Sequence, residues 1–313
     1  MKPMQSNVQI VATGHYVPEK IVSNIDLEKI VETSDEWIYT RTGIKNRRHV
    51  EHMDTSDLAT KAVQNLVDST HYDLSKVDLI IVATFSPDLK SPAVANMVQR
   101  KLGLGDKPMT AFDINAACTG FVYALSVASS MLQSGAYLSA LVIGAEVISK
   151  VTDFSDRNTC VLFGDGAGCI VLEPTSQSKP AWFFPLARGD YEQALYVDQF
   201  VHMDGQKVYH FAVRAIEFVL EEITKEAKLS YEDITLFIPH QANRRIVQNA
   251  SKTLQIPMEK FYMNIEHYGN TSAASIAIAF DEVMKQTPLP ADSKILFVAF
   301  GAGFTYGACI LTI

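Results

Sequence analysis

Cysteine is scarce in this sequence: four residues in 313, at Cys118, Cys160, Cys169 and Cys309. None forms a CxxC pair and no pair of histidines stands near them, which argues against structural zinc or another metal site. So few cysteines in so long a chain also argue against a disulfide framework and point to a reducing, cytoplasmic compartment. No apolar run is long enough to cross a bilayer, and Met1–Ser6 carries no apolar signal core, so no membrane association is expected. An excess of positive charge is missing too. Lys plus Arg number 27 against 35 Asp plus Glu, a formal net charge of −8, which disfavours broad attraction to nucleic acid. An acidic partner would have to be met by a local basic patch. Even the densest glycine run, Gly164-Asp165-Gly166-Ala167-Gly168, fails as a dinucleotide loop, because it leads into a strand instead of opening a helix.

What remains is an ordinary globular composition, 48% hydrophobic and 20% charged, long enough for two domains or for one domain of two similar halves. The chain is organised around Ala111-Phe112-Asp113-Ile114-Asn115-Ala116-Ala117-Cys118-Thr119-Gly120 and the apolar run from Phe121 to Leu132. This reads as a buried strand, a turn of small residues, and a helix apolar on most of its circumference, hence interior. Cys118 falls at the turn, where unpaired N–H groups and the helix dipole favour a thiolate. A thiolate is a nucleophile, although Cys118 taken alone reads more readily as an inert buried thiol.

Along the chain, strands are expected at Val8–Ala12, Val77–Thr84, Leu141–Gly144 and Cys169–Leu172, with a turn at Gly14–Pro18. Helices are expected at Asn24–Val31, Ser56–Val67, Pro92–Leu102 and Tyr209–Ala227. Residues 186–206 carry no clear pattern. The second half repeats the first. Leu74–Val82 is echoed by Leu229–Ile238, Phe112–Gly120 by Phe261–Ser272 as strand, turn and helix, and Gly164–Leu172 by Gly301–Leu311. The expected architecture is therefore α/β and layered, with two duplicated βαβ-type halves related by a pseudo-twofold axis, at residues 1–174 and 205–313. Such packing brings equivalent turns together, so that the Cys118 turn faces turns of the second half.

Those second-half turns are Pro239-His240-Gln241-Ala242-Asn243 and Tyr268-Gly269-Asn270-Thr271-Ser272-Ala273-Ala274-Ser275. Alone, His240 would be a structural histidine or a ligand, and Asn270 a helix cap. Taken with Ala116-Ala117-Cys118-Thr119-Gly120-Phe121, they resemble the three active-site motifs of β-ketoacyl-acyl carrier protein synthase III, an initiating condensing enzyme of thiolase-like fold. Thr33–Ile38, Asp156-Arg157 and Gly303-Phe304-Thr305 extend the resemblance over nearly the whole chain.

The resemblance implies that Cys118 takes an acyl group from acyl-CoA. His240 and Asn270 then hold the thioester carbonyl of malonyl-acyl carrier protein while CO2 leaves, with no cofactor. It implies that Trp37 and Arg157 sandwich the adenine of coenzyme A, with Arg41 a further contact. Arg244, Arg245 and Lys252 would form a basic patch for the carrier protein, and the N–H groups of Cys118 and Ala302 would bind the acyl oxyanion. It also implies a homodimer paired through an edge strand that follows the Cys118 helix. Two departures stand out: Gly301-Ala302-Gly303 where the family has three glycines, and a short segment between Leu186 and Gly205. The second keeps open a related condensing enzyme or acyltransferase of specialised metabolism. A degradative thiolase is disfavoured, because Phe300 stands where that family needs a second cysteine.

Overall fold

The computed structural model describes residues 1–177, 179–286 and 288–313. The first half contains β1 (Met4–Tyr16), β2 (Ile21–Ser23), α1 (Asn24–Leu27), α2 (Asp35–Thr42), β3 (Asn46–Arg48) and α3 (Thr55–Thr70). It continues with β4 (Leu79–Ala83), α4 (Val94–Lys101), β5 (Thr110–Ile114), α5 (Gly120–Gln133), β6 (Ala140–Glu146) and β7 (Gly166–Pro174). The second half contains β8 (Pro180–Ala187), β9 (Leu195–Val197), β10 (Val201–Met203), α6 (Gly205–Ala227), β11 (Leu236–Pro239) and α7 (Arg244–Leu254). It ends with α8 (Ile265–Tyr268), α9 (Ser275–Gln286), β12 (Lys294–Gly301) and β13 (Thr305–Thr312).

The main sheet runs β11-β12-β13-β8-β1-β7-β6-β4-β5. In its first half, β4 lies between parallel β5 and β6, and antiparallel β7 and β1 follow. The second half repeats that order and polarity: β11 beside parallel β12, then antiparallel β13 and β8. Antiparallel pairing of Met4–Asn7 with Pro180–Phe183 joins the two. The counterpart of β5 is reduced to one parallel bridge from Phe261 to Phe237, where a full strand was expected.

Alternation along the strands builds the layers, because successive side chains point to opposite faces. Leu79, Ile81 and Ala83 of β4 and Ile295, Phe297 and Ala299 of β12 share one core with α5 and α9. Ile80 and Val82 turn the other way onto α3 and α4, while Leu296, Val298 and Phe300 turn onto α6 and α7. Helices α5 and α9 are thus the filling between the two halves of the sheet. Helix α5 carries no charged residue, which suits a helix buried over most of its surface.

Three local expectations give way. The turn at Gly14–Pro18 is absent, since β1 continues to Tyr16; a Cβ on Gly14 would lie 2.5 Å from the Ala62 carbonyl, so this glycine makes room for α3. The helix begun at Asn24 is only one turn long, capped by Ser23 and Asp26. The strand leading to Cys118 is half-buried, because β5 is the outer strand of its sheet.

Candidate active site

Cys118 lies in a one-turn 3-10 segment, Ala117–Thr119, between β5 and α5. Its approach is tight: Ala117 takes a positive φ of 46°, and the Asn115 side chain accepts the Ala117 N–H at 3.2 Å. From the other half, Gly301 closes over it. A Cβ there would fall 2.8 Å from the Cys118 nitrogen, so only glycine allows this approach. Ala302 stays out of the positive-φ region, which removes the objection to alanine between the two glycines. Fully buried Thr119 and half-buried Thr305 tie the two segments together. Thr305 Oγ1 lies 3.1 Å from Thr119 Oγ1 and donates to the Ala116 carbonyl at 2.9 Å.

The expected thiolate is not the resting form. Burial pushes the Cys118 thiol up to about 12, outweighing what nearby donor groups lower. A charge taken out of water costs more here than the short turn of donors returns.

His240 follows β11 directly, and its backbone N–H donates to the Val298 carbonyl at 2.7 Å. The ring is buried, packs edge-on to Phe300 with centroids 5.5 Å apart, and meets Ser275 Oγ through Nδ1 at 2.8 Å. The Gln241 N–H occupies a lone pair of that same hydroxyl at 3.3 Å. With one lone pair so occupied, the hydroxyl can donate its hydrogen to Nδ1, the arrangement that places the imidazole proton on Nε2. Burial pushes the ring down to about 3, so it is neutral at working pH.

Asn270 is fixed by its backbone: its N–H donates to Leu162 O at 2.8 Å, and its carbonyl accepts the Gly164 N–H at 3.0 Å. Its Oδ1 accepts the Ser272 N–H at 2.8 Å, which aims the amide nitrogen away from the cap. The cap and the free donor are therefore two ends of one side chain.

One cavity of about 1030 Å3 receives Cys118, His240 and Asn270, and also Trp37, Arg41, Arg245, Phe300 and Ala302. At its mouth the guanidinium carbons of Arg157 and Arg41 lie 4.6 Å and 4.9 Å from the Trp37 ring centroid. The unassigned segment turns out to be the β9–β10 hairpin, which contributes Leu195, Val197, Val201 and Met203 to the wall. The three basic residues of α7 separate. Arg245 and Lys252 are exposed, whereas Arg244 donates to Tyr39 Oη at 2.9 Å and to Glu266 at 3.0 Å.

Several supporting residues went unread in the sequence. Fully buried Glu146 accepts from Thr84 Oγ1, the Phe85 and Ser86 N–H groups and Ser86 Oγ, and burial pushes it up to about 8. Glu282 accepts from Tyr262, Asn264 and Tyr268, bracing the loop that carries Asn270. Gln241 holds the same loop through the Asn264 and Ile265 N–H groups. Only Gln241 lay inside a recognisable motif. Among the described residues, no three His, Cys, Asp or Glu side chains cluster as metal ligands would, and no helix is long and apolar enough to cross a membrane.

A duplicated, layered fold with cysteine, histidine and asparagine meeting between its halves defines a condensing acyltransferase of thiolase-like type. Family models described as 3-oxoacyl-[acyl-carrier-protein] synthase III and its C-terminal domain match residues 112–186 and 224–313. The β-ketoacyl-[acyl-carrier-protein] synthase III of Acholeplasma laidlawii is 48% identical over 308 residues, 98% of each chain. That of Clostridium acetobutylicum is 42% identical over 322 residues, again 98% of each. The crystal structure of the Aquifex aeolicus synthase III superposes with a TM-score of 0.93 at 42% identity, covering 98% of this chain and 100% of that one. The chain belongs to the β-ketoacyl-acyl carrier protein synthase III family.

Proposed function

We propose that this protein starts fatty-acid chains by condensing an acyl-CoA primer with malonyl-acyl carrier protein, through Cys118, His240 and Asn270. The observation that carries this reading is that all three open onto the same cavity as Trp37 and Arg41. In the loading step Cys118 sulfur bonds to the acyl carbon and the bond to CoA sulfur breaks. The proton given up by Cys118 leaves on the CoA thiol. Malonyl-carrier protein then loses CO2, and the enolate oxygen receives hydrogen bonds from His240 Nε2–H and the Asn270 amide. The enolate carbon bonds to the acyl carbon as the bond to Cys118 sulfur breaks, giving the 3-oxoacyl product and a Cys118 thiolate that takes a proton from water. The Cys118 and Ala302 N–H groups are the donors for the acyl oxygen in both steps.

The neutral ring of His240 suits this role, because only an imidazole that keeps its proton on Nε2 donates without adding a charge. Trp37 offers a flat face to adenine, with Arg157 and Arg41 as cationic neighbours. Arg245 and Lys252 form the exposed basic patch for an acidic carrier protein; Arg244 serves instead to clamp α7 to α2 and Glu266. The protein acts as a homodimer joined along β5, whose free edge and half-buried residues await a partner. This strand precedes the Cys118 helix, whereas β6 after it is interior. The second half begins at β8, the topological equivalent of β1. A reducing cytoplasm is the compartment that keeps Cys118 a thiol. The test is direct: labelled acetyl-CoA or branched acyl-CoA should label Cys118, and malonyl-carrier protein should then chase the label into a 3-oxoacyl product. Absence of both would remove the reading.

A further inference from the structure

A second hydroxyl stands at the nucleophile with nothing else to bind. Ser272 is 1% exposed, and its Oγ has no hydrogen-bond partner among the described residues, an unusual state for a buried polar atom. Its backbone is held at a positive φ of 48°, and its N–H is fixed on Asn270 Oδ1. The 3-10 turn it opens, Ser272–Ala274, packs directly against the turn of Cys118. Its hydroxyl lies beside the Cys118 sulfur but makes no resting hydrogen bond to it. A neutral thiol is a weak acceptor, whereas a thiolate accepts strongly.

We propose that Ser272 is a catalytic residue that donates its hydroxyl hydrogen to Cys118 sulfur whenever that sulfur carries charge. The proposal rests on Cys118 as the nucleophile and adds a donor that acts on sulfur, separate from those that act on carbonyl oxygens. Sulfur is charged twice in the cycle: as it attacks the acyl-CoA thioester, and as it leaves the acyl carbon when the enolate attacks. At both moments the orphaned hydroxyl gains the acceptor it lacks at rest. A serine whose backbone already serves the Asn270 cap is free to use its side chain this way. The left-handed backbone also fixes where that side chain points.

The test follows alkylation of Cys118 by iodoacetamide from pH 6 to 10, with peptide mass spectrometry on the intact, substrate-free protein. Ser272→Ala should shift the rise of alkylation upward by about one pH unit and slow it roughly tenfold at pH 8. Acyl-CoA loading should slow by a similar factor. A Cys118→Ala/Ser272→Ala protein should decarboxylate malonyl-carrier protein as fast as Cys118→Ala alone, since no sulfur takes part. Should Ser272→Ala fail to fold, Ser272→Gly, suited to the positive φ, carries the same expectations. An unchanged alkylation profile in either folded variant overturns the proposal. So does a drop in decarboxylation in the double variant, which would make Ser272 a support for Asn270 only. Because alkylation needs no acyl-CoA, its outcome is independent of whether the condensation reading holds.

Discussion

The site divides its donors by the atom they serve, and single substitutions separate them. In the proposed mechanism the Asn270 amide serves the malonyl thioester oxygen and has no part in charging sulfur. Asn270→Ala should therefore still be acylated by acyl-CoA, while condensation falls about a hundred- to a thousandfold, as loss of one oxyanion donor does. Cys118→Ala should lose acylation and keep measurable decarboxylation. If Asn270→Ala condenses at the wild-type rate, the residue is only the cap of the turn at Ser272. His240 gives a prediction in pH. Burial holds its ring near 3, below the ordinary 6.5, so the neutral donor persists while pH falls through the mildly acid range. Decarboxylation by Cys118→Ala should consequently show no inflection near pH 6.5; an inflection there would mean that the ring titrates as an exposed histidine.

At the scale of elements, the segment after β4 hangs from one carboxylate. Glu146→Ala would orphan the Phe85 N–H, at a cost of about 1–3 kcal/mol, and leave the Thr84 and Ser86 hydroxyl hydrogens without their acceptor, so a thermal melt should fall by several degrees. An unchanged melting temperature would show that water replaces the carboxylate. On α7, Arg245→Glu should raise KM for malonyl-carrier protein and leave acyl-CoA loading almost untouched, with added salt mimicking the defect. Equal loss in both half-reactions would instead assign Arg245 to coenzyme A, whose expected site shares its cavity. These elements also show what the sequence made legible. Cys118 and His240 were readable because each follows a patterned strand and sits in a compact motif, and Asn270 because of its motif alone. Glu146 was not, because its partners lie some 60 positions away and no spacing announces them. Gly14 misled for a related reason: a glycine that admits a distant helix looks, in sequence, like one that turns the chain. The β9–β10 hairpin was too short to show a period. The strand expected at Phe261 shrank to a bridge because its second-half neighbourhood is filled by loops and side-chain bonds.

At the scale of the whole molecule, the halves are held by more than apolar contact. Asp281 on α9 is fully buried and receives hydrogen bonds from His15 and Thr13 of β1 and from Lys285. Burial raises its carboxyl, but those bonds outweigh it and hold the group below its ordinary 3.8. A depressed carboxyl contributes stability above the unfolded value and loses it as pH falls through the folded one. Asp281→Asn should thus be less stable than wild type at pH 7, by about 3–5 kcal/mol, with the gap closing as pH falls below the ordinary 3.8. Parallel denaturation curves above and below that value would refute this. Light scattering should give twice 34.6 kDa at micromolar concentration, and a mass near 34.6 kDa would count against pairing along β5.

The two elbows at the centre match residue for residue: Ala117-Cys118-Thr119 before α5, and Ser272-Ala273-Ala274 before α9, with φ of 46° and 48° at their first positions. Ala273 therefore occupies the place of the nucleophile in the other half. Two identical subunits related by a true twofold axis must carry the same residue at both elbows. Two cysteines there would face one another, open to oxidation when neutral and to mutual repulsion when charged. Joining the halves in one chain lifts that requirement. One elbow keeps the sulfur, the other is reduced to a methyl group, and the broken symmetry gives the attacking group a single direction in which to react.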